Sequence, residues 1–167
     1  GVLGGIAAGV AIPYKIVGFL GERRLKAFTA IFPDAIDLIV RGLKSGLPIS
    51  ECVASVGAEM ADPVGVEFRH ITDAVKIGQT LEEALWETAG RLDTPDFKFF
   101  VITLNVQKET GGNLAETLAN LSNILRQRKQ MKLKIKALSS EAKASAYILG
   151  SLPFLMAAIL FFTNSEY

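Results

Sequence analysis

The chain has 167 residues, 18 Lys and Arg against 17 Asp and Glu, and a single Cys and a single His. One globular domain with membrane anchors fits that length, while one Cys and one His exclude an internal disulfide and a zinc set. The net charge of +1 says nothing about partners, but half of the residues are hydrophobic and the mean hydropathy is +0.33, high for a water-soluble chain.

In chain order, Gly1–Tyr14 is an uncharged apolar run that reads as the end of a transmembrane helix. Gly4, Gly5 and Gly9 would let neighbouring helices approach closely there. The chain opens on Gly inside this run, so natural sequence is expected upstream. Residues 15–31 read as a basic juxtamembrane linker helix carrying Lys15, Arg23, Arg24 and Lys26. The first helix of the central domain is expected to start at Pro33, a favoured first-turn residue, with Asp34 and Asp37 near its positive end and an apolar stripe of Ile36, Ile39, Val40 and Leu43. Gly46 ends it.

A second helix after Pro48 carries Cys52, Val53, Val56 and Met60, and Asp62-Pro63 reads as a turn. A third carries Val66, Ile71, Val75 and Ile77 and stops at Gly78. Thr80 and Glu83 have the spacing of a capping box for a fourth helix with Leu85 and Leu92. Thr94 reads as a cap and Pro95 as the opening of a fifth helix, whose buried stripe is Phe97, Phe100, Val101 and Leu104. Gly111-Gly112 breaks the chain. Asn113 then caps a sixth helix, with Glu116 three residues on, and Leu114, Leu118, Leu121 and Leu125 mark its apolar face.

The apolar pattern continues through Met131, Ile135 and Leu138, which predicts one long helix running toward the next apolar segment. Residues 144–163 carry no formal charge over twenty positions, enough to cross a bilayer core. The cations Arg126, Arg128, Lys129, Lys132, Lys134 and Lys136, with no acid among them, precede this segment, and no Lys or Arg follows it. By the positive-inside rule the middle of the chain is therefore cytoplasmic, with those cations and Arg23, Arg24 and Lys26 flanking the membrane.

A three-fold repeat underlies the central domain. Gly46, Ile49, Glu51 and Val53 share a spacing with Gly78, Leu81, Glu83 and Leu85, and again with Gly111, Leu114, Glu116 and Leu118, so the copies start at positions 46, 78 and 111. A glycine ends one helix, an apolar residue opens the next, and a glutamate sits near the new N-terminus. Stacked helical hairpins are expected. The fold is predicted to be all-α: an antiparallel bundle of about six helices in three hairpins, flanked by transmembrane helices.

Catalytic equipment is not recognisable. His70 has no partner set, Cys52 lies on an apolar helix face, and Glu82 and Glu83 are adjacent and so do not face each other. Gly111-Gly112 lacks the rest of a phosphate loop. Asp73, Glu109 and Glu116 have no spacing that forces a divalent-cation site. The basic run lacks the interleaved aromatics of a single-strand nucleic-acid site. No enzymatic activity, no cofactor, no metal and no nucleic acid are expected. A membrane-anchored enzyme would need a convergent pocket around His70 or Cys52. A tetratricopeptide-like adaptor, the other alternative, would need Trp, Tyr and Pro positions that the repeats lack.

The strings Phe99-Phe100-Val101 and Gln107-Lys108-Glu109-Thr110-Gly111-Gly112-Asn113-Leu114-Ala115-Glu116-Thr117-Leu118 resemble the second half of the type II secretion system F domain, in the branch that serves Tad (Flp) pili. Phe32-Pro33-Asp34-Ala35-Ile36-Asp37-Leu38 resembles the start of that domain, with Phe32 in place of a usual leucine. Gly78-Gln79-Thr80-Leu81-Glu82-Glu83-Ala84-Leu85 is similar to its middle turn. Lys136–Glu141 and Ile148–Pro153 resemble its exit into the membrane.

The resemblance implies a cytoplasmic F domain over residues 32–141, a multi-pass protein of the bacterial inner membrane, and a non-enzymatic platform on which pilin subunits are added. Its implied partners are a cytoplasmic secretion ATPase, pilin subunits, membrane lipid and a paralogous platform protein of the TadC type, in a homo- or hetero-oligomer. TadC itself, or a helical-repeat adaptor of another secretion system, are the competing assignments. The positions marked out as structural or interaction candidates are Pro33, Asp34, Asp37, Gly78, Glu109, Gly111, Gly112, Asn113 and Glu116.

Overall fold

A computed structural model describes the backbone of residues 2–110 and 113–163 and the side chains of 16–108 and 113–163. The described elements are six helices: α1 (Val2–Lys44), α2 (Ile49–Glu59), α3 (Val64–Lys76), α4 (Leu81–Leu92), α5 (Pro95–Thr110) and α6 (Leu114–Thr163). No strand occurs among the described residues. The chain divides into two compact units, residues 1–126 and 127–167.

In the first unit, helices adjacent in sequence pack on each other from α1 through α5, and α1 also touches α3. The repeat explains how the hairpins turn. Gly46 has φ +87 and Gly78 has φ +109, both in the left-handed region that favours glycine. At each, the next residue's amide reaches back five positions, Leu47 N to Gly42 O at 3.0 Å and Gln79 N to Ala74 O at 3.1 Å, while the glycine amide bonds three positions back. This Schellman closure satisfies the last carbonyls of α1 and α3. Three residues after each glycine comes the first residue of α2 or α4. In the third copy Leu114 likewise opens α6, while Gly111, Gly112 and the Glu109 side chain lie outside the described residues.

Helix starts follow the sequence in part. Thr80 and Glu83 form the full capping box of α4. Thr94 differs from expectation: its hydroxyl is buried without a hydrogen-bond partner, so α5 starts on Pro95 with no side-chain cap from Thr94. Pro33 also differs. It is buried inside α1, which continues unbroken across it from Val2 to Lys44, so no helix starts there. A proline inside a helix removes one backbone hydrogen bond and crowds the carbonyl four residues back, and the packing of α1 outweighs that loss.

The core gathers five phenylalanines from three helices: Phe28 and Phe32 of α1, Phe68 of α3, and Phe97 and Phe100 of α5, all at most 1% exposed. Their ring centroids lie 5.1–6.4 Å apart in stacked, tilted and edge-on pairs. Aromatic pairs add about 0.5–1.5 kcal/mol beyond their buried area. The stripes expected on α1, α2, α5 and the start of α6 are buried or half-buried. On α3 the stripe is Val64, Phe68 and Ile71, whereas Ile77, expected on it, is 86% exposed because the helix has already ended at Lys76. Gly57 and Gly65 bring α2 and α3 together: a Cβ on Gly65 would sit 2.2 Å from the Met60 carbonyl oxygen.

In the second unit, the helix is exposed on every described face, and no part of its apolar window is buried. By length and composition α6 is suited to crossing a membrane. Pro153 lies within it.

Candidate functional site

Two clusters of charge tie α1 to the rest of the first unit. The first unites two sets of residues that the sequence presents 92 and 89 positions apart. Asp34 and Asp37 stand one turn apart on α1. Arg126 of α6 donates from Nη2 to Asp34 Oδ1 at 2.8 Å and to Asp37 Oδ2 as well. The Ser122 hydroxyl, one turn earlier on α6, lies 2.6 Å from Asp37 Oδ1 and 3.2 Å from the Pro33 carbonyl oxygen. Its single hydrogen goes to the closer, charged acceptor.

The roles expected for Asp34 and Asp37 thus change. They are mid-helix residues with no helix N-terminus to stabilise, and their partner is a cation that the sequence reading assigned to the membrane flank. Pro33 enters the same cluster through its carbonyl. The pairing is exposed, with side chains 41–58% accessible, so it sets geometry more than stability.

The second cluster was not anticipated. Glu67 of α3 is 3% exposed and lies between two arginines, 3.1 Å from Arg24 of α1 and 2.7 Å from Arg91 of α4. Its Oε1 accepts a hydrogen bond from Arg24 Nη2, whereas no aligned N–H reaches Oε2 despite the nearby Arg91. A buried carboxylate persists only when paired. The sequence carried a signal: Glu67 falls between Val64, Phe68 and Ile71, inside the apolar stripe of α3. Arg24, exposed like Arg23 and Lys26 beside it, is the one of the three that pairs with this buried carboxylate.

The remaining candidates are placed as follows. Gly78 forms the α3–α4 turn. Asn113 accepts from the Glu116 amide at 3.3 Å, the expected cap. Glu116 answers by accepting from Asn113 Nδ2 at 3.2 Å. Arg128, Lys129, Lys132, Lys134 and Lys136 are exposed on the helix of the second unit.

Chemical equipment is sparse. His70 is exposed, and burial pushes the Cys52 thiol up from its ordinary value, the opposite of what a nucleophile needs. No group of three His, Cys, Asp or Glu side chains converges as a metal set among the described residues. Of the possible trio Asp73, Glu109 and Glu116, the Glu109 side chain lies outside them.

A family model described as type II secretion system (T2SS), protein F, matches residues 35–162, more than half of the chain and all of α2 to α5. No curated protein matches the chain.

Proposed function

Since the chain belongs to the type II secretion system protein F family, whose members are non-enzymatic platform proteins of the inner membrane, we propose that it is the TadB-like platform protein of a Tad (Flp) pilus. The observation that carries this reading is the family match over residues 35–162, together with the ordered motifs that resemble the Tad branch, from Phe32-Pro33-Asp34 to Glu109-Thr110-Gly111-Gly112-Asn113. In this reading the protein is multi-pass, with residues 32–141 in the cytoplasm. The bundle meets a cytoplasmic ATPase and a paralogous, TadC-like platform protein, and drives insertion or extraction of pilin subunits. Force reaches the membrane along α6, whose Leu114–Thr163 backbone is one helix. A helix is stiff along its axis, so axial or rotary displacement passes along it.

The test uses intact cells. A photo-crosslinking residue replaces the half-exposed Trp86 or the exposed Glu87 on α4. Crosslinks to the motor ATPase or the paralogous platform protein, with pili lost on deletion of the gene, support the proposal. Normal pili in the deletion strain would end it.

A further inference from the structure

Beside Glu67 the first unit opens a 290 Å³ cleft, lined on α1 by Gly21, Arg24 and Phe28 and on the other side by Glu67, Arg91 and Leu92. We propose that this cleft binds the phosphate group of an anionic membrane lipid, held between the Arg24 and Arg91 guanidiniums.

Charge comes first. Two guanidiniums share one carboxylate, which leaves an excess of one positive charge in the cleft. The carboxylate is 3% exposed, while the arginines are 57% and 50% exposed. Glu67 therefore holds both cations in place from below, and their outer N–H groups face the opening. Arg91 stands 2.7 Å from Glu67 Oε2 through one nitrogen, and its side chain is half exposed. Each guanidinium carries five donors in a planar fork that matches a phosphate. The arrangement is organised before any ligand arrives, which lowers the cost of binding.

Position comes second. Just before Gly21 on the same helix, Ile16, Val17, Phe19 and Leu20 are 53–69% exposed. They follow the uncharged run Gly1–Tyr14. Such a sleeve belongs in or against hydrocarbon. Gly21 is about 7.5 Å from Ile16 along the axis at 1.5 Å per residue. The cleft is thus placed near the headgroup layer, where anionic lipids concentrate. The acidic Glu22 lines a different hollow, with Ile16 and Phe19.

Lining comes third. Half-buried Leu25 and Pro63 give the cleft an apolar wall suited to glycerol and acyl carbons. A free phosphate ion presents the same oxygens but gains nothing from that wall.

The full chain is placed in nanodiscs of phosphatidylcholine, with or without phosphatidylglycerol. Lipid retention is read by native mass spectrometry and stability by thermal unfolding. Wild type is expected to retain phosphatidylglycerol and to unfold at a higher temperature in its presence. The variant R24Q/E67Q/R91Q removes all three charges, leaving no unpaired carboxylate, and should bind about fivefold more weakly, the effect of the one net positive charge lost at an anionic surface. The variant Gly21→Leu fills the cleft with the charges intact. A Cβ there meets nothing within 4 Å, so the helix accommodates it. It should lose retention equally, whereas R128Q/K132Q should keep it. Equal retention in wild type and Gly21→Leu would overturn the proposal, as would inorganic phosphate reproducing the stabilisation in pure phosphatidylcholine.

Discussion

Arg126 on α6 and Asp34 on α1 meet at 2.8 Å across 92 residues of sequence. This contact, with Asp37 and Ser122 beside it, fixes the register of the last bundle helix against the first. Charge reversal at one side is therefore expected to matter less for stability than for geometry. Arg126→Asp should cost about 1 kcal/mol, the upper range for exposed pairs plus the repulsion it introduces. In the proposed function it should also sharply reduce pilus assembly. Combining it with Asp34→Arg and Asp37→Arg should restore assembly, scored by counting pili.

The α2–α3 contact gives a steeper test. Gly65→Ala places a methyl group 2.2 Å from a backbone oxygen, which no side-chain rearrangement relieves. The expected loss is about 2–4 kcal/mol, in the range of overpacking and strain. Gly90→Ala, inside α4 with nothing within 4 Å, should instead gain up to about 1 kcal/mol. Thermal unfolding of the detergent-solubilised chain measures both.

Truncation of the aromatic cluster should be worse still. Phe97 contacts Phe28, Phe32, Phe68 and Phe100. Phe97→Ala is expected to cost about 3–5 kcal/mol. Phe32→Leu, which returns the residue usual in the resembling domains, should cost under about 1.5 kcal/mol. Equal losses would show that the rings do not form one packed unit.

The α4 cap has a pH signature. Hydrogen bonds from the Thr80 backbone and then its side chain hold the Glu83 carboxyl below its ordinary value. A group whose folded pKa is depressed adds stability above its unfolded pKa and loses it as pH falls through the folded one. The contribution is complete above about pH 4.3 and disappears below it. Carboxyl NMR shifts should show Glu83 titrating below the ordinary value of a glutamate side chain. Thr80→Val should move it back toward that ordinary value and shorten the α4 helix at its start.

Much of this architecture is legible in the sequence because its punctuation is local. Gly46, Gly78 and the Thr80–Glu83 box each act within a few residues, and the structure places each as expected. The stripes of α2 and α5 are also local, since one face of each helix meets a single core. Long-range chemistry is where the reading departs from the structure. Arg24 and Arg126 look like membrane flanks in sequence, and only the packed bundle shows that Glu67, Asp34 and Asp37 face them. Pro33 and Thr94 mislead for a related reason: residues with strong local preferences yield to tertiary packing, so α1 runs through a proline and a threonine hydroxyl is buried without bonding. Ile77 departs by one residue, the helix having stopped just before it.

The distance along the chain between Arg126 and Asp34 also bears on biosynthesis. When α1 leaves the ribosome, the residues that will clasp it do not yet exist, and at about 5–20 residues per second they follow several seconds later. Phe28 and Phe32 wait in the same way for the rings of α5. During that interval a greasy helix face stands open. That face is covered only when α5 and then α6 arrive to close the bundle.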